Sequence, residues 1–138
     1  MTAKFKKLTP NLMVEDVNRT VEFYKDVLGF TLLATVPEEG TFNWAMMKSD
    51  GVEIMFQSIA SLSDEYPLFR YKAPGGTLNL YIDVENVQGL YEAIHNRATL
   101  LHHLHKTFYG AQEFAIQDCN GYVLTFAESE TASEAEVS

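Results

Sequence analysis

The hydrophobic and polar positions of this chain repeat. Asn11-Leu-Met-Val-Glu-Asp-Val17 is matched, 70 positions on, by Tyr81-Ile-Asp-Val-Glu-Asn-Val87. Self-similarity at a fixed offset is the mark of one structural unit used twice. In each copy an alternating strand pattern runs into Asp16 or Asn86, residue types that cap helix N-termini. Amphipathic helices are predicted next. Val21, Tyr24, Val27 and Leu28 share one face of a helix over 17–28, and Leu90, Tyr91 and Ile94 one face of a helix over 87–97. Gly29 stands where a C-terminal cap belongs. Thr31-Leu-Leu and Thr99-Leu-Leu then open a strand in each copy, and strands follow over 41–48 and 112–118. Asp50-Gly51 and Asn120-Gly121 are hairpin signals, and last strands run over 52–58 and 122–128. The order β-α-β-β-β therefore occurs twice. The predicted fold class is α+β: two tandem βαβββ modules whose curved mixed sheets surround a cleft. The first module spans 1–58 and the second 78–128. Residues 59–77, with Pro67, Pro74, Gly75 and Gly76, read as a linker, and 129–138 as a disordered acidic tail.

Alternation assigns faces, because successive side chains on a strand point to opposite sides. Leu8, Leu12, Val14, Leu78, Ile82 and Val84 are expected against the helices, with Ile54, Phe56, Leu124 and Phe126. Trp44, Met46, Phe114 and Ile116 are given the same side. The opposite faces receive Asn11, Asn43, Met47, Glu53, Met55 and Gln57 in the first module. In the second they receive Asn79, Tyr81, Glu113, Gln117 and Thr125. A solvated face would be richer in Lys and Glu. Amides, Met and Tyr suit the wall of a cavity, so these residues, with Tyr109, are the candidate ligand-binding set.

Composition narrows the partners. The net charge is −9, which disfavours nucleic-acid backbones and anionic membranes and tolerates a cationic ligand. No apolar run approaches the roughly 20 residues that span a bilayer, and no signal sequence is seen at Met1–Lys7. With Cys119 as the one cysteine, no intrachain disulfide framework exists, and a reducing, cytoplasmic location is expected. His103 and His105 sit two apart on a strand expected at a sheet edge. They supply at most two of the four ligands a metal usually takes, so a solvent-exposed or interface role is expected of them. Cys119, in a turn without a neighbouring base, is a weak nucleophile. Glu53 and Glu113 could do acid–base work, but complementing a cationic group is the expected use.

The phrases Val14-Glu-Asp-Val-Asn-Arg-Thr-Val-Glu-Phe-Tyr-Lys-Asp-Val-Leu-Gly-Phe30 and Tyr109-Gly-Ala-Gln-Glu-Phe-Ala-Ile-Gln-Asp-Cys-Asn-Gly-Tyr-Val-Leu-Thr-Phe-Ala-Glu128 resemble the vicinal oxygen chelate superfamily. It comprises glyoxalase I, extradiol dioxygenases, and fosfomycin- and bleomycin-resistance proteins. The closing phrase is most similar to the bleomycin-resistance branch, where an aromatic before the Gly, here Tyr109, lines the drug groove. The superfamily's enzymes hold a divalent metal with His, Glu or Gln from the first and last strands of each unit. Carried onto this chain, those positions are Thr9, Met55, Asn79 and Thr125, none a usual ligand for such an ion. What the resemblance implies is a metal-independent, cofactor-free small-molecule-binding protein that sequesters an aromatic or cationic ligand and pairs as a homodimer. The alternative is a diverged metal-dependent lyase, isomerase or dioxygenase.

Overall fold

The computed structural model describes residues 2–130. The chain divides into two compact units. One holds the residues through Lys25 and Gly29–Lys72, the other Asp26–Leu28 and the chain from Ala73 onward. Each carries a βαβββ module. The first consists of β1 (Asn11–Val14), α1 (Val17–Asp26), β2 (Thr31–Val36), β3 (Trp44–Ser49) and β4 (Val52–Ser58). After it come a helix α2 (Ile59–Glu65) and a 3₁₀ turn (Pro67–Phe69). The second consists of β5 (Asn79–Asp83), α3 (Val87–Ile94), β6 (Thr99–Lys106), β7 (Ala111–Gln117) and β8 (Val123–Ser129). Strand orders are β1-β4-β3-β2 and β5-β8-β7-β6. In each sheet the first strand pairs parallel with the last, and the remaining pairs are antiparallel. β6 lies at an edge, as expected. No helix among the described residues is long and apolar enough to cross a membrane.

Local chemistry starts and stops the helices. The Asp16 carboxylate accepts the Arg19 N–H at 3.0 Å. At the other end of α1 the Gly29 N–H donates to Lys25 O and the Phe30 N–H to Tyr24 O, with Gly29 at φ +76°, the left-handed stop glycine permits. Asn86 caps α3 by accepting the Gly89 N–H at 3.2 Å. A Cβ on residue 89 would stand 2.4 Å from the Asn86 amide nitrogen, so the cap requires glycine there. The Glu128 carboxylate adds to this cap by accepting the N–H groups of Asn86 and Val87, an anion at the positive end of the helix.

Each core lies between helix and sheet. Tyr24 of α1 is fully buried and its ring packs 4.7 Å from that of Phe56 on β4. In the second module Tyr91 of α3 packs 5.2 Å from Phe114, which stacks on Phe126 at 5.1 Å. Burying each such side chain stabilises the module by about 1.5–3 kcal/mol.

Three expectations are corrected. Met47, placed by alternation on the open face, is fully buried on the helix side with Ala45, opposite Ile54 and Phe56. Trp44 and Met46 take the open face instead. Six residues separate Met47 from its partner Ile54, whereas seven separate Ile116 from Leu124. With side-chain period 2, that one-residue difference inverts the face. Second, the segment expected as a plain linker holds α2, capped by the Ser58 hydroxyl accepting the Ser61 N–H. Third, residues 129 and 130, expected in a disordered tail, belong to the folded second module. Ser129 belongs to β8, and the Glu130 N–H donates to Gly110 O at 2.9 Å. The remainder of the expected tail lies outside the described residues.

Candidate functional site

Each module opens a cleft on the sheet face away from its long helix. In the second module β5 presents Asn79 and Tyr81, β8 presents Val123 and Thr125, and β7 presents Glu113 and Ala115. These share a face because Tyr81 pairs with Thr125 and Ala115 with Thr125 across the ladders. The turn between β6 and β7 supplies Tyr109. That turn is tied by Thr107, whose hydroxyl accepts the Ala111 N–H at 3.1 Å and whose N–H donates to Ala111 O at 2.8 Å. The resulting cleft is about 590 Å³.

Glu113 is the centre of this cleft. It is 7% exposed. The Tyr81 hydroxyl donates to its Oε2 at 2.6 Å, and the Tyr109 hydroxyl donates to the same oxygen. Both phenols are pushed above their ordinary value of 10.0, chiefly because ionising either would lose the hydrogen bond to the carboxylate. The described residues form two ion pairs, Lys7–Glu53 and Lys106–Glu130, and neither reaches Glu113. The carboxylate is thus anchored through one oxygen by two neutral donors, and no cation partners it.

His102 and His105 line the same cleft. The expected pairing of His103 with His105 is replaced, because the β6–β7 ladder is irregular on both sides of His102. A bulge shifts which side chains share a face. His103 instead meets the Tyr91 hydroxyl at 2.8 Å, and the His105 Nδ1 lies 2.7 Å from His103 O.

The first module's cleft is about 740 Å³ and has a different wall. Its sheet contributes Asn11, Trp44, Met55 and Gln57, and the chain after β4 contributes Leu62, Glu65, Tyr66 and Phe69. Asn11 Nδ2 donates to Gln57 Oε1 at 2.8 Å, and Gln57 Nε2 donates to Ser61 Oγ at 3.0 Å and Glu65 Oε1 at 3.1 Å.

Of the sequence-predicted set, Asn11, Met55 and Gln57 meet in the first cleft. Asn79, Tyr81, Tyr109, Glu113 and Thr125 meet in the second. Met47 is in the core. Asn43 is exposed ahead of β3, holding the chain by its backbone to Val36 and Ser58. Glu53 pairs with Lys7, which holds its carboxyl below the ordinary 4.5. Gln117 donates to Gly121 O at 3.3 Å, outside the cleft lining. Sequence reasoning missed Trp44, Glu65 and His102 as lining residues. Ser58 ahead of Ile59 and Leu62 is the signal that could have revealed the helix carrying Glu65.

Comparison with known proteins decides the family. A family model described as the glyoxalase/bleomycin resistance protein/dioxygenase superfamily matches residues 6–126. The chain belongs to that superfamily. Solved structures share the fold. TioX from Micromonospora sp. ML1 is 21% identical, with a TM-score of 0.72 over 90% of this chain and 98% of that one. The bleomycin-binding protein from bleomycin-producing Streptomyces verticillus, complexed with copper(II)-bleomycin, is 20% identical, with a TM-score of 0.64 over 94% and 100%. A glyoxalase/bleomycin resistance protein/dioxygenase from Nocardioides is 18% identical, with a TM-score of 0.74 over 93% and 86%. No curated protein matches the chain significantly.

The superfamily's metal does not fit the residues present. At the four inherited positions, the Thr125 hydroxyl is donated to Asn79 Oδ1 at 2.8 Å, so these two satisfy each other. Met55 offers a thioether in an aromatic-lined cleft, and Thr9 a neutral hydroxyl. Among the described residues no three His, Cys, Asp or Glu side chains converge on a point that could hold a metal ion. A divalent ion wants carboxylate, imidazole or thiolate donors, and this donor set has none.

Proposed function

We propose that this protein binds a small cationic or aromatic molecule and sequesters it unchanged, without a metal or other cofactor. Glu113 carries the reading. A buried carboxylate held by two phenols through one oxygen is a charge taken out of water without a counter-charge, and such a group is stabilised when a cation arrives. The half-exposed rings of Tyr81 and Tyr109 offer apolar faces beside it, suited to a flat cation. The copper(II)-bleomycin complex of the Streptomyces verticillus relative supports a small-molecule ligand on this fold. We place the ligand set at Tyr81, Tyr109, Glu113, Asn79 and Thr125, with His102 and His105 at the wall. The single Cys119 and the acidic charge agree with a cytoplasmic location.

The protein is further proposed to act as a homodimer. β2 and β6 are sheet edges bearing exposed Leu32, Leu33, Val36 and Leu101, a combination that a second copy can cover. Sedimentation at equilibrium should give twice the chain mass, and a monomer at all concentrations would remove that part of the reading.

Calorimetric titration with phenylguanidine and with bleomycin tests the ligand class. At least one should bind saturably, and Glu113→Gln should weaken it by about tenfold to hundredfold, the worth of a charge-assisted hydrogen bond. Unchanged affinity in Glu113→Gln, or no binding of either cation, overturns the proposal.

A further inference from the structure

The first module's cleft carries an asymmetry that Glu113 plays no part in. A carboxylate can only accept hydrogen bonds, whereas a side-chain amide can face either way. Glu65 accepts from Gln57 Nε2. Gln57 must therefore turn its oxygen toward Asn11, and Asn11 must turn its nitrogen toward Gln57. The outcome is that Asn11 Oδ1 is left over. It is buried and has no hydrogen-bond partner. An unsatisfied buried acceptor is uncommon and destabilising, and it marks a place where a donor would be gained. The surroundings say what kind. Asn11 lines a cleft with Trp44, Tyr66 and Phe69, and Met55, its partner across the β1–β4 ladder, is an unbranched side chain able to yield.

We propose that this cleft takes a planar aromatic compound through a ring-edge N–H or O–H donated to Asn11 Oδ1, and that Glu65 sets this polarity through the one-way chain Asn11–Gln57–Glu65. Asn11 contacts the ligand, and Glu65 is a positioning residue that acts through Gln57. Because the oxygen is sealed in the ligand-free fold, entry of the donor requires a neighbouring side chain to move aside. The preference is for the direction of a hydrogen bond and does not require a charged ligand. It stands independently of the cation site, since the two clefts lie in different modules and share no residue.

Indole and 1-benzofuran test it, being neutral and nearly equal in shape, the first a donor at the ring edge and the second an acceptor. The chain has one tryptophan and it lines this cleft, so the Trp44 indole N–H resonance in a ¹⁵N-labelled protein reports binding here. Unlabelled indole should shift that resonance saturably, with a dissociation constant at least about fivefold below that of benzofuran, roughly 1 kcal/mol of discrimination from one hydrogen bond. Glu65→Gln, a change at an exposed position, lets both amides turn and should bring the ratio toward one. Glu113→Gln should leave it unaltered, which separates this site from the cation site. Benzofuran binding as well as indole, or neither probe moving the Trp44 signal, overturns the site. A ratio that survives Glu65→Gln overturns the role of Glu65.

Discussion

The two modules share one topology and differ in how their central hairpins close. Ser49 pairs with Val52 across a two-residue turn, with Asp50 at φ +48°. Gln117 pairs with Val123 across a five-residue loop. There the Asp118 carboxylate accepts the N–H groups of Asn120 and Tyr122 at 2.8 and 2.9 Å. The loop moves the ladder by one residue, so β3 and β7 show opposite alternation. The first module consequently buries Met47 and turns Trp44 to its cleft, while the second buries Phe114 and Ile116 and turns Glu113 to its own. An odd difference in hairpin length, two residues against five, therefore separates an aromatic, amide-lined cleft from one built on a carboxylate. A pair of repeats can diverge in site chemistry through loop length while each helix stays on its sheet.

This contrast can be broken most severely at the core. Met47→Ala should lower unfolding free energy by about 2–5 kcal/mol, while Gln117→Ala should cost less than about 1 kcal/mol. Urea unfolding of the two variants checks the order, and the reverse order would mean that the β3 face is assigned wrongly. Next in size, Asp118→Ala leaves two N–H groups of the second hairpin without their acceptor and should cost about 1–3 kcal/mol. Asp50→Gly should be nearly neutral, because glycine accepts a positive φ freely. Comparable losses for both would show that the two hairpins are held in the same way.

Ser58→Ala probes the helix that follows the first module. Loss of the cap should cost about 1 kcal/mol and reduce probe binding read at Trp44, with no effect on cation binding at Glu113. The smallest effect concerns alkaline pH. Tyr81 and Tyr109 have folded-state pKa values raised above 10.0. The unfolded chain therefore releases these protons first as pH rises. The stabilisation from this pair is complete below pH 10 and is lost above it. The urea midpoint should fall less between about pH 9 and about pH 11 in Tyr81→Phe than in the unaltered protein, and parallel falls would show that the phenol–carboxylate bonds do not contribute.

Much of the second cleft was legible beforehand. Asn79, Tyr81, Glu113 and Thr125 follow from alternation along their strands. The first cleft was half legible. Asn11, Met55 and Gln57 sit on β1 and β4, where alternation within each strand gives the face. Trp44 takes the face opposite to the expected one because the two hairpins differ in length by an odd number of residues. Glu65 is not legible because the proline- and glycine-containing segment masks a helix started by Ser58. His102 rather than His103 lines the cleft with His105, because bulges in β6 leave no mark on period-2 alternation.

By itself, the sequence determined the repeat, the element order and the helix caps, since these depend on near neighbours: an apolar period, an Asp or Asn ahead of a helix, a Gly behind one. Only the tertiary structure decided that the Tyr81 phenol would share one oxygen of Glu113 with Tyr109, that Met47 would be core, and that Asn11 would be left with an acceptor and no donor. Those outcomes depend on pairing register and on the direction of hydrogen bonds between residues as far as 32 and 46 positions apart, and such relations are set when strands meet in space.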